Sequence, residues 1–140
     1  MNEAQKWLLA TIKRKDGDVY ARFAYHHHIV LGNPAYSRAA WIELESLPVV
    51  DLDEYQGGLD ALEDRVREKI EKSMKNLLLL VLTDAGYRDL VFALREDDDE
   101  VQGVISEIES DLAGRVKAHI HEGQNFGPYA ALVSRIKTPI

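Results

Sequence analysis

Leu77-Leu78-Leu79-Leu80-Val81-Leu82 is an unbroken apolar run, and a second apolar run follows it almost at once. The first run is too short to cross a membrane as a helix, which needs about 20 apolar residues. Length and flanks decide between strand and buried helix. The run ends in Thr83-Asp84-Ala85-Gly86. In the second run Leu90, Phe92 and Leu94 point one way and Asp89, Val91 and Ala93 the other, which is the period of a strand. A few turn residues with a glycine between two such runs predict a β-hairpin over Leu77 to Arg95. Gly86 would supply the positive φ of its turn.

A similar pattern opens the chain. Trp7 to Lys13 alternates loosely, Lys15-Asp16-Gly17-Asp18 follows, and Val19, Ala21, Phe23 and Tyr25 then alternate with Tyr20, Arg22 and Ala24. Asp-Gly between strand-like runs is a strong hairpin signal. His26-His27-His28 leads into a loop over Ile29 to Ser37. Ala40, Ile42 and Leu44 alternate with Trp41, Glu43 and Glu45, predicting a third strand with one wet face. Pro48 breaks regular structure.

Two amphipathic helices are expected. Tyr55, Leu59, Leu62, Val66, Ile70 and Met74 form one apolar stripe, capped by Asp51 or Asp53, with Asp60, Glu63, Asp64, Arg67 and Glu68 assigned to the wet face. Gly57-Gly58 weakens the first turn and predicts a late start. Val101, Val104, Ile105, Ile108 and Leu112 form the second stripe, with acidic residues at its start and Gly114 at its end. Val116, Ala118 and Ile120 alternate with Lys117, His119 and His121 as a last strand. After the turn Gly123-Gln124-Asn125, Pro128 opens a tail helix at its first position, with Tyr129, Leu132, Val133 and Ile136 on one side.

From Ala39 onward the order is strand, helix, strand, strand, helix, strand. The fold expected is α+β: a ferredoxin-like βαββαβ antiparallel sheet with an N-terminal β-hairpin and a short C-terminal helix. The 140 residues suit one domain, divided into a hairpin extension (1–30), a ferredoxin-like core (39–122) and a tail helix (123–140). The usual strand order leaves the Leu77 strand on an edge. An apolar edge invites pairing, so either the N-terminal hairpin or a second subunit should cover it.

Thr83-Asp84-Ala85-Gly86-Tyr87-Arg88-Asp89-Leu90-Val91-Phe92 resembles the threonine–glycine–arginine hairpin of a bacterial domain-of-unknown-function family, number 695. Phe126-x-x-Tyr129-x-x-Leu132 resembles the aromatic pair near that family's C-terminus, with Phe126 where a tryptophan is expected. Trp7 resembles its start. The resemblance implies a fold and no established activity. It also brings a distant similarity in topology to regulators of ribonuclease E, which are acidic proteins.

Charge and composition narrow the function classes. A formal net charge of −7 argues against phosphate-backbone binding and favours solubility or a basic partner. The chain has no cysteine, which excludes disulfides and thiolate chemistry. Met1-Asn2-Glu3-Ala4-Gln5-Lys6 carries no long apolar segment, so no secretory signal is visible and a cytoplasmic location is expected. No phosphate loop, dinucleotide fingerprint or serine-hydrolase elbow is present.

Four constellations carry potential chemistry, each with a plainer reading. His26 and His28, joined by His119 and His121, can ligate a metal if their strands converge; the plainer reading is a wet strand end. Glu96-Asp97-Asp98-Asp99-Glu100 offers oxygen ligands for Ca²⁺ or Mg²⁺, yet lacks the spacing of a calcium loop and suits a helix start. Arg88 can grip an anion or pair with Asp84 across the hairpin. Glu43 and Glu45 share a strand face and can form a carboxylate pair. No catalytic, metal or cofactor residue is assigned from these. The leading expectation is a non-enzymatic protein-interaction or regulatory module. Its partner is another protein, or a second copy through the strand edge or sheet face, with no nucleic acid and no membrane. An acidic ribonuclease regulator and a metal enzyme using the four histidines are the alternatives.

Overall fold

The computed structural model describes residues 7–25, 27–45, 52–73, 76–84, 87–96, 100–111 and 115–135. In chain order they form β1 (Trp7–Ile12), β2 (Val19–Ala24), a 3-10 turn (His28–Val30), β3 (Arg38–Glu45), α1 (Leu52–Ser73), β4 (Leu77–Asp84), β5 (Tyr87–Leu94), α2 (Val101–Asp111), β6 (Val116–Glu122) and α3 (Tyr129–Ser134). The protein is α+β, with one six-stranded sheet in the order β1-β2-β4-β5-β3-β6. Every neighbouring pair is antiparallel.

The sheet has six strands because the N-terminal hairpin joins it. Tyr20 to Phe23 of β2 pair with Leu80 to Thr83 of β4. The apolar β4 edge is thus covered from within the chain. Gly17, at φ +130°, makes the β1–β2 turn.

One face packs under α1 and α2. Leu59, Leu62, Val66 and Ile70 of α1, with Val101, Ile105 and Ile108 of α2, bury against Ile42, Leu44, Leu90, Phe92 and Leu94. These are the stripes read from the sequence. Lys69 Nζ, 2.9 Å from Glu107 Oε1, ties the two helices. α1 begins at Leu52 and runs through Gly57-Gly58, so the glycine pair does not delay it. Glycine weakens a helix by only about 1 kcal/mol per residue, and the buried stripe outweighs that. No acidic residue stands in the first turn of α2, contrary to expectation; Glu100 only precedes it.

The other face is not uniformly wet. Phe126, Tyr129 and Leu132 pack with Val30 onto Phe23, Leu80, Val91 and Ala93, forming a second core. β4 therefore has apolar cover on both sides. An irregularity between Leu78 and Leu80 accommodates the extra leucine, so Leu78 joins the helix-side core while Leu79 and Leu80 join the other. The Tyr129 hydroxyl donates to the Ala24 carbonyl at 2.5 Å, binding tail to hairpin. Gln124 holds the loop before β3: its Nε2 donates to the carbonyls of Val30 (2.7 Å), Asn33 (3.1 Å) and Tyr36 (2.9 Å), and its Oε1 accepts from Gly32 N at 2.7 Å. Gly127, at φ +59°, lies against the Trp41 ring, where a Cβ would stand 2.7 Å from a ring carbon. Pro128 is the N-cap residue of α3 rather than its first helical residue.

Asp53 stands inside α1 rather than capping it; the expected Asp51 cap, Gly86 turn, Gly114 stop, Pro48 break and the side-chain contributions of Tyr55, Met74, Leu112 and Ile136 lie outside the described residues.

Candidate functional site

α3 and the loop before β3 cover only one end of the second sheet face. At the other end a groove of about 340 Å³ crosses the strand termini. The antiparallel register sets its lining. Lys117 of β6 lies opposite Glu43 of β3, Glu43 opposite Asp89 of β5, and Asp89 opposite Leu82 of β4. Val19 of β2 continues the apolar floor, and Arg14 closes that end from the β1–β2 turn. Tyr87, 54% exposed, stands at the rim. With strands about 4.8 Å apart, the path from β2 to β6 is roughly 19 Å. Its charges run cation, apolar floor, carboxylates, cations.

Asp89 is the unusual group. Among the described residues its carboxyl has no hydrogen-bond donor and no cation in ion-pair contact. Its pKa is raised from 3.8 to about 6, first by burial, then by the Glu43 carboxylate and by Asp84, against a lowering by Arg14. Glu43 is better provided for: its Oε2 lies 2.8 Å from His119 Nε2. Two carboxylates directly opposed on adjacent strands disfavour the folded state. The unfolded chain ionises at 3.8 and the folded one at about 6, so Asp89 supports folding below 3.8 and loses that contribution as pH rises through about 6. Asp89→Asn is expected to stabilise the protein at pH 7 by about 1 kcal/mol, after allowance for solvent at this half-open site, and to do little near pH 4. Urea denaturation at both pH values checks it. A variant equally affected at both would remove the carboxylate from this account.

Of the four histidines, the three described ones do not come together as a metal-holding group. His26 lies outside the described residues. His28 sits on the 3-10 turn, donating from Nδ1 to the Tyr25 carbonyl at 2.7 Å and packing beside the Tyr25 ring. His119 and His121 do share a face of β6, with ring centres 6.5 Å apart, and Trp41 meets His121 edge-on. Among the described residues no group of three or more His, Asp or Glu side chains is arranged to hold a metal. Of the acidic run, 97–99 lie outside the described residues.

Arg88 does not pair with Asp84. It stands opposite Thr83, while Asp84 stands opposite Tyr87 and lines the groove. Neighbouring strand positions point to opposite faces, so the two side chains part. Arg88 turns under α1: its Nη1 reaches Asp60 Oδ1 (2.7 Å) and Glu63 Oε1 (2.9 Å), and its Nε donates to Thr83 Oγ1 (3.1 Å). Arg22 and Arg67 also pair with Glu63. Glu63 is 4% exposed, which corrects its assignment to the wet face. It lies four residues after Leu59 and three before Val66, so its position was within the apolar stripe. Glu43 and Glu45 do line one groove, as their shared face implied, but Asp89 is the carboxylate opposite Glu43. Asp89 was missed as a site residue. Its signal was an acidic residue alternating with Val91 and Ala93 on a strand face.

Among the described residues no helix is long and apolar enough to cross a membrane. A comparison with known protein families finds no match for this chain, and a search of curated proteins finds none either.

Proposed function

We propose that this protein is a non-enzymatic interaction module that receives a protein partner in the groove at the open end of its sheet. The observation that carries this reading is the groove itself. It combines an apolar floor with charges of both signs, and among the described residues Asp89, Arg115 and Lys117 make no ion pair. Unpaired, partly desolvated charge at one edge of a packed core is what a complementary surface relieves. The reading includes a ferredoxin-like βαββαβ unit over 39–122, supported by the strand order β6-β3-β5-β4 with α1 and α2 as its crossovers, and the hairpin (1–30) as an addition to its edge. It also carries the likeness to family 695, which rests on the sequence of Thr83 to Phe92, on Phe126, Tyr129 and Leu132, and on Trp7. Neither nucleic acid nor a membrane is a partner in this reading, and the location is cytoplasmic. A basic partner, such as a ribonuclease under regulation, is the second form, favoured by the net charge of −7.

Site-resolved photo-crosslinking tests the reading. With Tyr87 replaced by benzoylphenylalanine in the source cell, a discrete protein adduct is expected. The same replacement at Gln102, exposed on α2, should give none. No adduct from Tyr87, or the same adducts from both positions, would overturn the groove as the interaction surface.

A further inference from the structure

We infer that the groove receives the guanidinium of a single arginine side chain, held between the carboxylates of Asp89 and Glu43, and that acidic residues flank this arginine in the partner. The inference rests on the groove being the interaction surface and names what enters it.

Asp89 and Glu43 are directly opposed on β5 and β3. Side chains so placed start about 5 Å apart. That separation lets one planar fork of N–H donors reach both carboxylates, whereas a compact ammonium would have to choose. Glu43 uses Oε2 for His119; among the described residues its other oxygen and both oxygens of Asp89 are without an ion-pair or hydrogen-bond partner. The like-charge pair disfavours the free protein, and a cation between the two turns that repulsion into attraction.

The surroundings select the kind of cation. Leu82 and Val19 continue from Asp89 toward β2 as an apolar lane, on which the methylene stem of an arginine can lie. The exposed Tyr87 ring stands at the rim, where a guanidinium stacks better than an ammonium. A volume of about 340 Å³ suits one long side chain with its adjoining backbone. Both ends then repel further cations, since Arg14 closes one end and Arg115 and Lys117 the other. A run of basic residues would meet like charge there. An arginine with acidic neighbours meets opposite charge at both ends of the path, while Glu45 and Asp84 line the groove beside Tyr87.

The test is a nitrogen–proton NMR titration of the full chain with the peptide acetyl-Glu-Gly-Arg-Gly-Glu-amide. The controls are its citrulline analogue and acetyl-Arg-Gly-Arg-Gly-Arg-amide. Saturable shifts are expected at the amides of Leu82, Asp89 and Glu43, at least tenfold weaker binding of the citrulline peptide, and weaker binding of the triple-arginine peptide. The double variant Glu43→Gln with Asp89→Asn should keep its dispersed spectrum and lose the response. Equal binding of arginine and citrulline peptides, shifts mapping elsewhere, or no shift at millimolar peptide would overturn the inference. Tyr87 adducts persisting beside such a failure would retire the arginine and leave the interaction surface standing. Loss of both would retire both.

Discussion

Glu63→Ala is expected to remove about 3–5 kcal/mol of folding stability, the range found when a buried ion pair loses one partner. Glu63 is 4% exposed and serves arginines from three elements: Arg88 from β5, Arg22 from β2 and Arg67 from α1 itself. Without it, Arg88 keeps its charge at 7% exposure, with Thr83 and the exposed carboxylate of Asp60 as its remaining side-chain partners among the described residues. The cost arises from breaking the cluster: desolvating several charges offsets much of their attraction, so an apolar replacement of the whole cluster would lose far less. Glu63→Gln should fall between wild type and alanine, since an amide oxygen accepts but carries no charge. Urea denaturation curves for the three proteins decide the matter. A loss below about 1 kcal/mol for the alanine variant would mean that Asp60 and water suffice for Arg88. Arg22 also lies 5.5 Å over the Trp7 ring, so the same variant should loosen the β1–β2 hairpin first.

Tyr129→Ala should have a comparable effect at the opposite face, about 3–5 kcal/mol for truncating a buried aromatic ring. Tyr129 is fully buried, and its hydroxyl donates to Ala24 O across 105 residues of chain. Burial pushes that hydroxyl well above its ordinary pKa, so it stays a donor throughout the usual pH range. Tyr129→Phe retains the ring and loses one hydrogen bond, leaving the Ala24 carbonyl without this donor, which costs about 1–2 kcal/mol. The difference between the two variants separates ring packing from the hydrogen bond. Hydrogen exchange supplies a local readout. Amides of Ala24, Val30 and Phe126 should lose protection in Tyr129→Ala well before those beneath α1. Uniform loss across both faces would show that the two cores unfold as one unit.

How much of this was legible before any coordinates depends on the range of the interaction concerned. The strands, helices and their order follow from local periodicity: two for Leu90, Phe92 and Leu94, three to four for Leu59, Leu62, Val66 and Ile70. Those periods reflect side-chain directions within one element, and each element carries its own record of them. The unbroken leucine run also held a fact that alternation arguments passed over. A strand with no polar alternate is covered on both faces, and Leu79, Leu80 and Leu82 meet α3's core while Leu78 and Val81 meet the helices.

The sequence by itself determined the elements, their order, and the shared faces of Glu43 with Glu45 and of His119 with His121. Tertiary structure alone decided that β2 of the same chain pairs with β4; that Arg88 and Asp84 part to opposite faces; that Glu63 is buried among arginines; and that Asp89 confronts Glu43 in an open groove. The reason is separation along the chain. Asp89 and Glu43 become neighbours only when β5 pairs with β3, and which strands pair is chosen by how both faces of the whole sheet can be covered together, a sum over the fold that no local pattern contains.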